Sequence, residues 1–149
     1  MALLLGLFVC AASIASTTED QPPPLHPLPG FTKIADSPGL DMWEIVPAKA
    51  GLGYKLEVFD VHGTVDAHFH KVATQTITVM AGALEVLTKT EKGVESTLIL
   101  SISESLRIPP NLIHGLKSIG GWARYSSFSS PAFEYPQDVY DSSGAQLTE

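Results

Sequence analysis

The chain has 149 residues, 44% hydrophobic and 17% charged, which is enough for one domain with one modest core and excludes a disordered or fibrous chain. Nine basic and 16 acidic residues give a formal net charge of -7 with no basic cluster, so neither nucleic acid nor an anionic membrane is an expected partner. Cys10 is the only cysteine, which rules out an internal disulfide and a multi-cysteine zinc site.

Residues 1–16 form a signal-like segment. Leu3 to Ala15 is apolar and rich in small residues, and no charged side chain precedes Glu19. The run is too short for an ordinary bilayer span and resembles the apolar part of a secretory signal, cleaved near Ala15 or Ser16. It predicts a secreted or organellar protein that keeps no membrane contact after cleavage; a cytoplasmic protein with an uncleaved tail is the alternative, favoured by the missing Lys and Arg at the start. Residues 17–41 read as an extended leader, because Pro22, Pro23, Pro24, Pro27 and Pro29 fix φ and remove backbone donors. His26 lies in it and is expected to be exposed.

Over residues 42–130 the hydrophobic period is two. Strands are predicted at Met42–Val46, Tyr54–Val61, Thr74–Met80, Ala83–Thr90, Ser96–Ile102, Leu112–Ser118 and Gly121–Phe128, with no convincing amphipathic helix. Lys92–Gly93 and Gly120–Gly121 are predicted hairpin tips, since glycine accepts positive φ. Strands at roughly ten-residue spacing indicate a compact all-β sandwich or barrel. Residues 131–149 turn polar and acidic and read as a loose tail.

Inside the β pattern, His68 and His70 are one residue apart, so on a strand both imidazoles share a face and Phe69 points away. Gln75 has the parity of Ile77 and Val79, against Thr74, Thr76 and Thr78, and so starts a core-facing row. His114 follows a Pro109-Pro110-Asn111 turn, on what should be a facing strand. These four residues are the candidate ligands of one divalent metal ion.

The same residues resemble the two motifs of the cupin superfamily. In the first, His68 and His70 match the paired histidines, Gln75 stands at the glutamate position, Gly82 falls on the closing glycine, and Gly63 is the leading glycine, one residue closer than usual. In the second, Pro109 and His114 match, while Ser103, Asn111 and Ser118 replace the first glycine, the second glycine and the final asparagine. The likeness covers about residues 44–128. It implies a small antiparallel double-sheet jelly-roll β-barrel, and a homodimer joined through exposed sheet edges.

Gln75 is the informative departure. A glutamate would cancel one charge and suit hard ions such as manganese; a neutral amide leaves the ion nearer its full double charge and a stronger Lewis acid. Zinc, Fe(II), nickel and copper then rank above magnesium and calcium, with Mn retained from the resemblance. Gln75 either ligates directly or orients a water or substrate.

Further candidates are Tyr54, Glu57, His62 and Tyr125 for proton transfer, and Arg107, Trp122 and Arg124 for substrate contacts. By alternation Tyr125 goes with Ala123 and Arg124 with Trp122, so only one pair can face inward. Arg107 offers a two-pronged fork for a carboxylate. No phosphate-binding loop, dinucleotide fingerprint or serine-nucleophile motif is present. The reading is a divalent-metal-dependent enzyme acting on a small oxygenated or acidic molecule, by lyase, isomerase or dehydratase chemistry or by dioxygenation. The alternative is a non-catalytic metal- or sugar-binding module.

Overall fold

The computed structural model describes residues 32–37, 39–134 and 137–147. The signal-like segment with Cys10, and His26, lie outside them. Among the described residues there are nine strands and one short 3-10 turn, Ala48–Ala50. The strands are β1 (Thr32–Ser37), β2 (Leu40–Val46), β3 (Lys55–Val61), β4 (Thr64–Phe69), β5 (Thr74–Lys89), β6 (Glu95–Leu100), β7 (Ser105–Ile108), β8 (Ile113–Ser130) and β9 (Tyr140–Asp141). Every ladder is antiparallel. One path runs β1-β2-β3-β8-β4-β9, and β5 joins β8, β6 and β7. The result is an antiparallel jelly-roll barrel, in line with the all-β reading.

Two long strands build the barrel. β5 and β8 pair from Thr74↔Ser130 to Lys89↔Ile113, and each passes from one sheet into the other. Both bend at the same level, where the register shifts between Val79 and Ala81 and again between Gly82 and Ala83. The strands predicted at Thr74–Met80 and Ala83–Thr90 are thus two halves of β5. The hairpin predicted at Gly120–Gly121 does not form. Gly120 and Gly121 do take positive φ, 81° and 100°, but they make a bulge inside β8 opposite the β5 bend. Gly82 has φ +71°, and a Cβ there would stand 2.7 Å from the Trp122 carbonyl oxygen, so this corner admits only glycine. The Lys92–Gly93 tip does close a hairpin, β5 to β6, with Gly93 at φ 79°.

The core lies between the sheets: Val61, Ile77, Leu84, Val86 and Ala123 are fully buried, with Val79 and Ile108 nearly so. Along β5, Gln75, Ile77 and Val79 are buried while Thr74, Thr76 and Thr78 are half-buried, the alternation a one-sided core demands.

The chain ends fold differently from expectation. β1 and the start of β2 fall in the stretch read as leader, held by pairing with β2 and β3. The segment 137–147, read as loose tail, packs on β4. Tyr140 stacks on Phe69 at 5.5 Å, the Lys71 ammonium sits 3.7 Å over the Tyr140 ring, and Val139 is buried. Polar composition concealed these few well-placed contacts.

Candidate metal centre

His68 and His114 are direct cross-strand partners of β4 and β8. His70 follows two residues beyond His68, on the same side. The β4–β8 ladder and the period of two therefore deliver three imidazoles to one spot. One ring nitrogen from each lies within 4.8 Å of the other two. Ring centroids are 4.3 Å apart for His68–His114, 5.4 Å for His68–His70 and 5.6 Å for His70–His114.

Each ring is oriented through its Nδ1. His68 Nδ1 lies 2.8 Å from the Asp66 carbonyl oxygen, His70 Nδ1 2.7 Å from that of Asp138, and His114 Nδ1 3.0 Å from that of Leu112. A carbonyl oxygen only accepts, so each Nδ1 carries a proton, and in the neutral ring this leaves the Nε2 lone pair free. His70 Nε2 and His114 Nε2 are buried without a hydrogen-bond partner. Burial pushes the His114 imidazole down to about 3 and His70 to about 4, with the positive charge His68 can carry adding to both; burial lowers His68 as well. Three neutral imidazoles with oriented, unspent lone pairs are the donor set of a borderline divalent transition ion, so the residues present fit the metal.

His68 and His70 line a cavity of about 690 Å³, with His114 buried behind them. Gln75, Glu57 and Tyr125 also line it. Gln75 Nε2 donates to Ser127 Oγ at 2.9 Å, which leaves its amide oxygen as the atom it can offer inward. Glu57 is buried and pairs with the equally buried Lys55 at 3.0 Å. Burial pushes the Glu57 carboxyl up, and Lys55 opposes that shift. Tyr125 is buried against Phe59, ring centroids 4.9 Å apart, and burial pushes its phenol up. A smaller cavity of about 310 Å³ shares Lys55 and Glu57 and opens past Glu44, Lys49 and Glu134.

Five other candidates do not line the main cavity. On β3 the inward row is Lys55, Glu57, Phe59 and Val61, so the parity that His62 shares with Asp60 turns it away. Its Nε2 lies 3.7 Å from Asp41. Tyr125 takes the inward position on β8, which turns Trp122 and Arg124 outward. Arg124 makes a buried two-pronged ion pair with Asp60, at 2.6 and 2.8 Å, and is thereby a structural cation. Arg107 is exposed and sits opposite Thr76 on the outer side of the β5–β7 ladder, whose inward residues are Leu106 and Ile108. Tyr54 stacks on Phe128 at 5.2 Å.

Two residues at the site were missed. Lys55 shares the parity of Glu57 and Phe59, a signal present in the sequence but unused. Asp138 fixes the centre from far along the chain. Its carboxylate accepts from the backbone N–H groups of Lys71, Val72 and Ala73 at 2.8–3.2 Å, while its own carbonyl holds His70.

No protein-family model matches the sequence, and no curated protein matches it. Among solved structures the chain is similar to oxalate decarboxylase from Bacillus subtilis, with TM-score 0.66 and 15% identity over 80% of this chain and 31% of that one. It is also similar to the 7S globulin of Momordica charantia, with TM-score 0.60 and 18% identity over 68% of this chain and 33% of that one. Vicilin from Capsicum annuum gives TM-score 0.61 and 14% identity over 68% and 30%. The chain thus spans about a third of the length of these proteins. All are cupin-fold proteins, and the fold of this chain is the cupin jelly roll.

Proposed function

We propose that this cupin-fold chain is a divalent-metal-dependent enzyme for a small oxygenated or acidic substrate, with a non-catalytic metal-binding module as the competing reading. The carrying observation is that all three Nδ1 atoms are spent on main-chain carbonyls, while His70 Nε2 and His114 Nε2 are buried and unpartnered. Leaving buried polar atoms unpaired costs roughly 1–3 kcal/mol each, a cost that metal ligation removes. Held by His68, His70 and His114, with Gln75 ligating or beside them, an ion such as zinc, Fe(II), nickel, copper or manganese would supply Lewis acidity toward a substrate oxygen.

The other side chains divide the remaining work. Glu57 is the proton carrier: it lines the cavity, and Lys55 supports its ionised form against burial. Tyr125 keeps its proton and serves as a donor or a wall. Phe59, Phe133 and Val139 exclude water from the same space. The oxalate decarboxylase likeness adds support for an acidic substrate.

Metal analysis tests the reading. Wild type purified without chelator should hold close to one equivalent of a transition ion, and His70→Ala less than a tenth of that. A wild type with no retained metal, even after reconstitution, sinks the proposal. To separate enzyme from binding module, azide is added to the cobalt-substituted protein. A shifted visible spectrum marks an open coordination position, and an unchanged spectrum counts against turnover.

A further inference from the structure

The geometry points to a ligand of definite class: a chelating oxyanion with an apolar body, whose negative head lies between the metal and Lys55 and whose body lies along the hydrophobic wall. This rests on the three-histidine metal centre proposed above, and narrows it.

The first argument is charge. The polar groups of the inner cavity wall are the half-buried His68 and the buried His70, Gln75, Lys55, Glu57 and Tyr125. An imidazole ligates through the lone pair of a neutral ring, and Gln75 is neutral by nature, so neither supplies negative charge. Lys55 and Glu57 cancel each other at 3.0 Å, both side chains 4% exposed. A divalent ion therefore brings two positive charges that no buried side chain lining the cavity neutralises; the buried Asp138 carboxylate behind His70 is already engaged by the Lys71, Val72 and Ala73 N–H groups. The other acids on the lining, Asp66 and Asp141, belong to its rim, and Asp141 is spent on its own turn through Ser143 and Ala145. An uncompensated buried charge is costly, and an anionic oxygen on the bound molecule removes that cost.

The second argument is the position of Lys55. A buried lysine in a cavity is rare because desolvation disfavours the ammonium. Here Nζ meets Glu57 Oε1 at 3.0 Å and stands 3.8 Å over the Phe133 ring. Phe133 in turn touches His70, ring centroids 5.0 Å apart. One aromatic ring thus joins the ammonium to the metal centre, so a carboxylate or enolate on the metal can also accept a hydrogen bond from Lys55 Nζ beside Glu57.

The third argument is the wall. The cavity is also lined by the apolar Leu40, Met42, Phe59, Val65, Phe133 and Val139. A small dianion such as oxalate would leave this surface wet. A molecule with an alkyl or aryl body covers it, and each buried CH₂ is worth about 0.8 kcal/mol, close to fourfold in affinity.

Three probes of matched design test the class on the zinc-loaded protein by calorimetry. They are 2-oxo-octanoate (anionic head, apolar body), pyruvate (the same head alone) and 2,3-nonanedione (the same hexyl body, neutral head). The expected result is binding of 2-oxo-octanoate at least tenfold tighter than either of the others. Equal affinity for pyruvate overturns the apolar body; equal affinity for the dione overturns the anionic head; no binding of 2-oxo-octanoate overturns both. The Lys55→Met, Glu57→Gln double variant removes the ammonium without stranding a buried carboxylate. It should lose at least tenfold for 2-oxo-octanoate and keep its zinc content and its affinity for the dione. Unchanged affinity for 2-oxo-octanoate overturns the role of Lys55. Failure of wild type to load zinc defeats the metal centre and this inference together, whereas a loaded protein with the wrong probe ranking defeats this inference alone.

Discussion

At the scale of the residue, the cupin-like glycine positions separate into those the backbone requires and those it does not. Gly82 is required: positive φ and a carbonyl 2.7 Å from a would-be Cβ act together. Gly82→Ala should lower stability by about 2 kcal/mol or more, read as a reduced urea midpoint; an unchanged midpoint would show that the β5–β8 corner can relax. Gly63 is not required, because open space surrounds its missing Cβ; what matters there is its carbonyl, which accepts from the Ser118 N–H at 2.9 Å. Ser103 and Asn111 stand where the family has glycine, and they are the two non-glycine residues with positive φ among those described, 71° and 64°. The backbone takes left-handed turns at both positions without glycine. The Asn111 N–H also donates to the His70 carbonyl at 2.7 Å, so this turn is bonded to a ligand residue and could be anticipated from Pro109-Pro110-Asn111.

Elements explain which parts of the site were legible before the fold was known. His68 and His70 were readable because period two is a local property, and Gln75 because its strand alternates cleanly with threonines. His114 needed only a second strand facing the first, which the Pro-Pro turn suggested. β4 itself escaped the list of strands, since Thr64–Phe69 is short and carries Asp66 and two further polar residues. Arg124 and Asp60 looked like separate charges, because their pairing depends on β3–β8 register rather than on nearby sequence. Asp138 was hidden for the same reason, lying 68 residues from His70 in a polar stretch. Its carboxylate ties down the β4–β5 connection and so places the carbonyl that orients His70. Asp138→Ala should weaken zinc affinity roughly tenfold or more, the usual cost of losing support behind a ligand. Competition with a chromophoric chelator measures this, and Asp138→Glu should recover part of the loss. Equal affinity in Asp138→Ala and wild type would show that the His70 orientation does not depend on the clamp.

For the whole molecule, burying neutral histidines ties stability to pH. His70 and His114 are held at about 4 and about 3 in the fold, while an unfolded chain returns them to about 6.5. Between those limits the unfolded state binds more protons, so stability is full above pH 6.5 and is lost as pH falls toward 4. His70 alone contributes about 3 kcal/mol over that range. Glu57 acts in the opposite sense, since its raised pKa favours the fold on the acid side, but it is one group against two histidines. For metal-free protein the urea midpoint should therefore be level above pH 7 and fall steadily from pH 6.5 to 4. A level or rising midpoint across that window would contradict the burial of neutral imidazoles.

The bond from His70 to Asp138 also has a consequence in time. Synthesis delivers His68 and His70 first, His114 some forty residues later, and the clamp that orients His70 only after residue 138 has been made. A nascent chain therefore presents a two-histidine chelate long before it presents a finished centre. Ion selection by the complete donor set can act only once residue 138 has been made and its carbonyl has closed on His70.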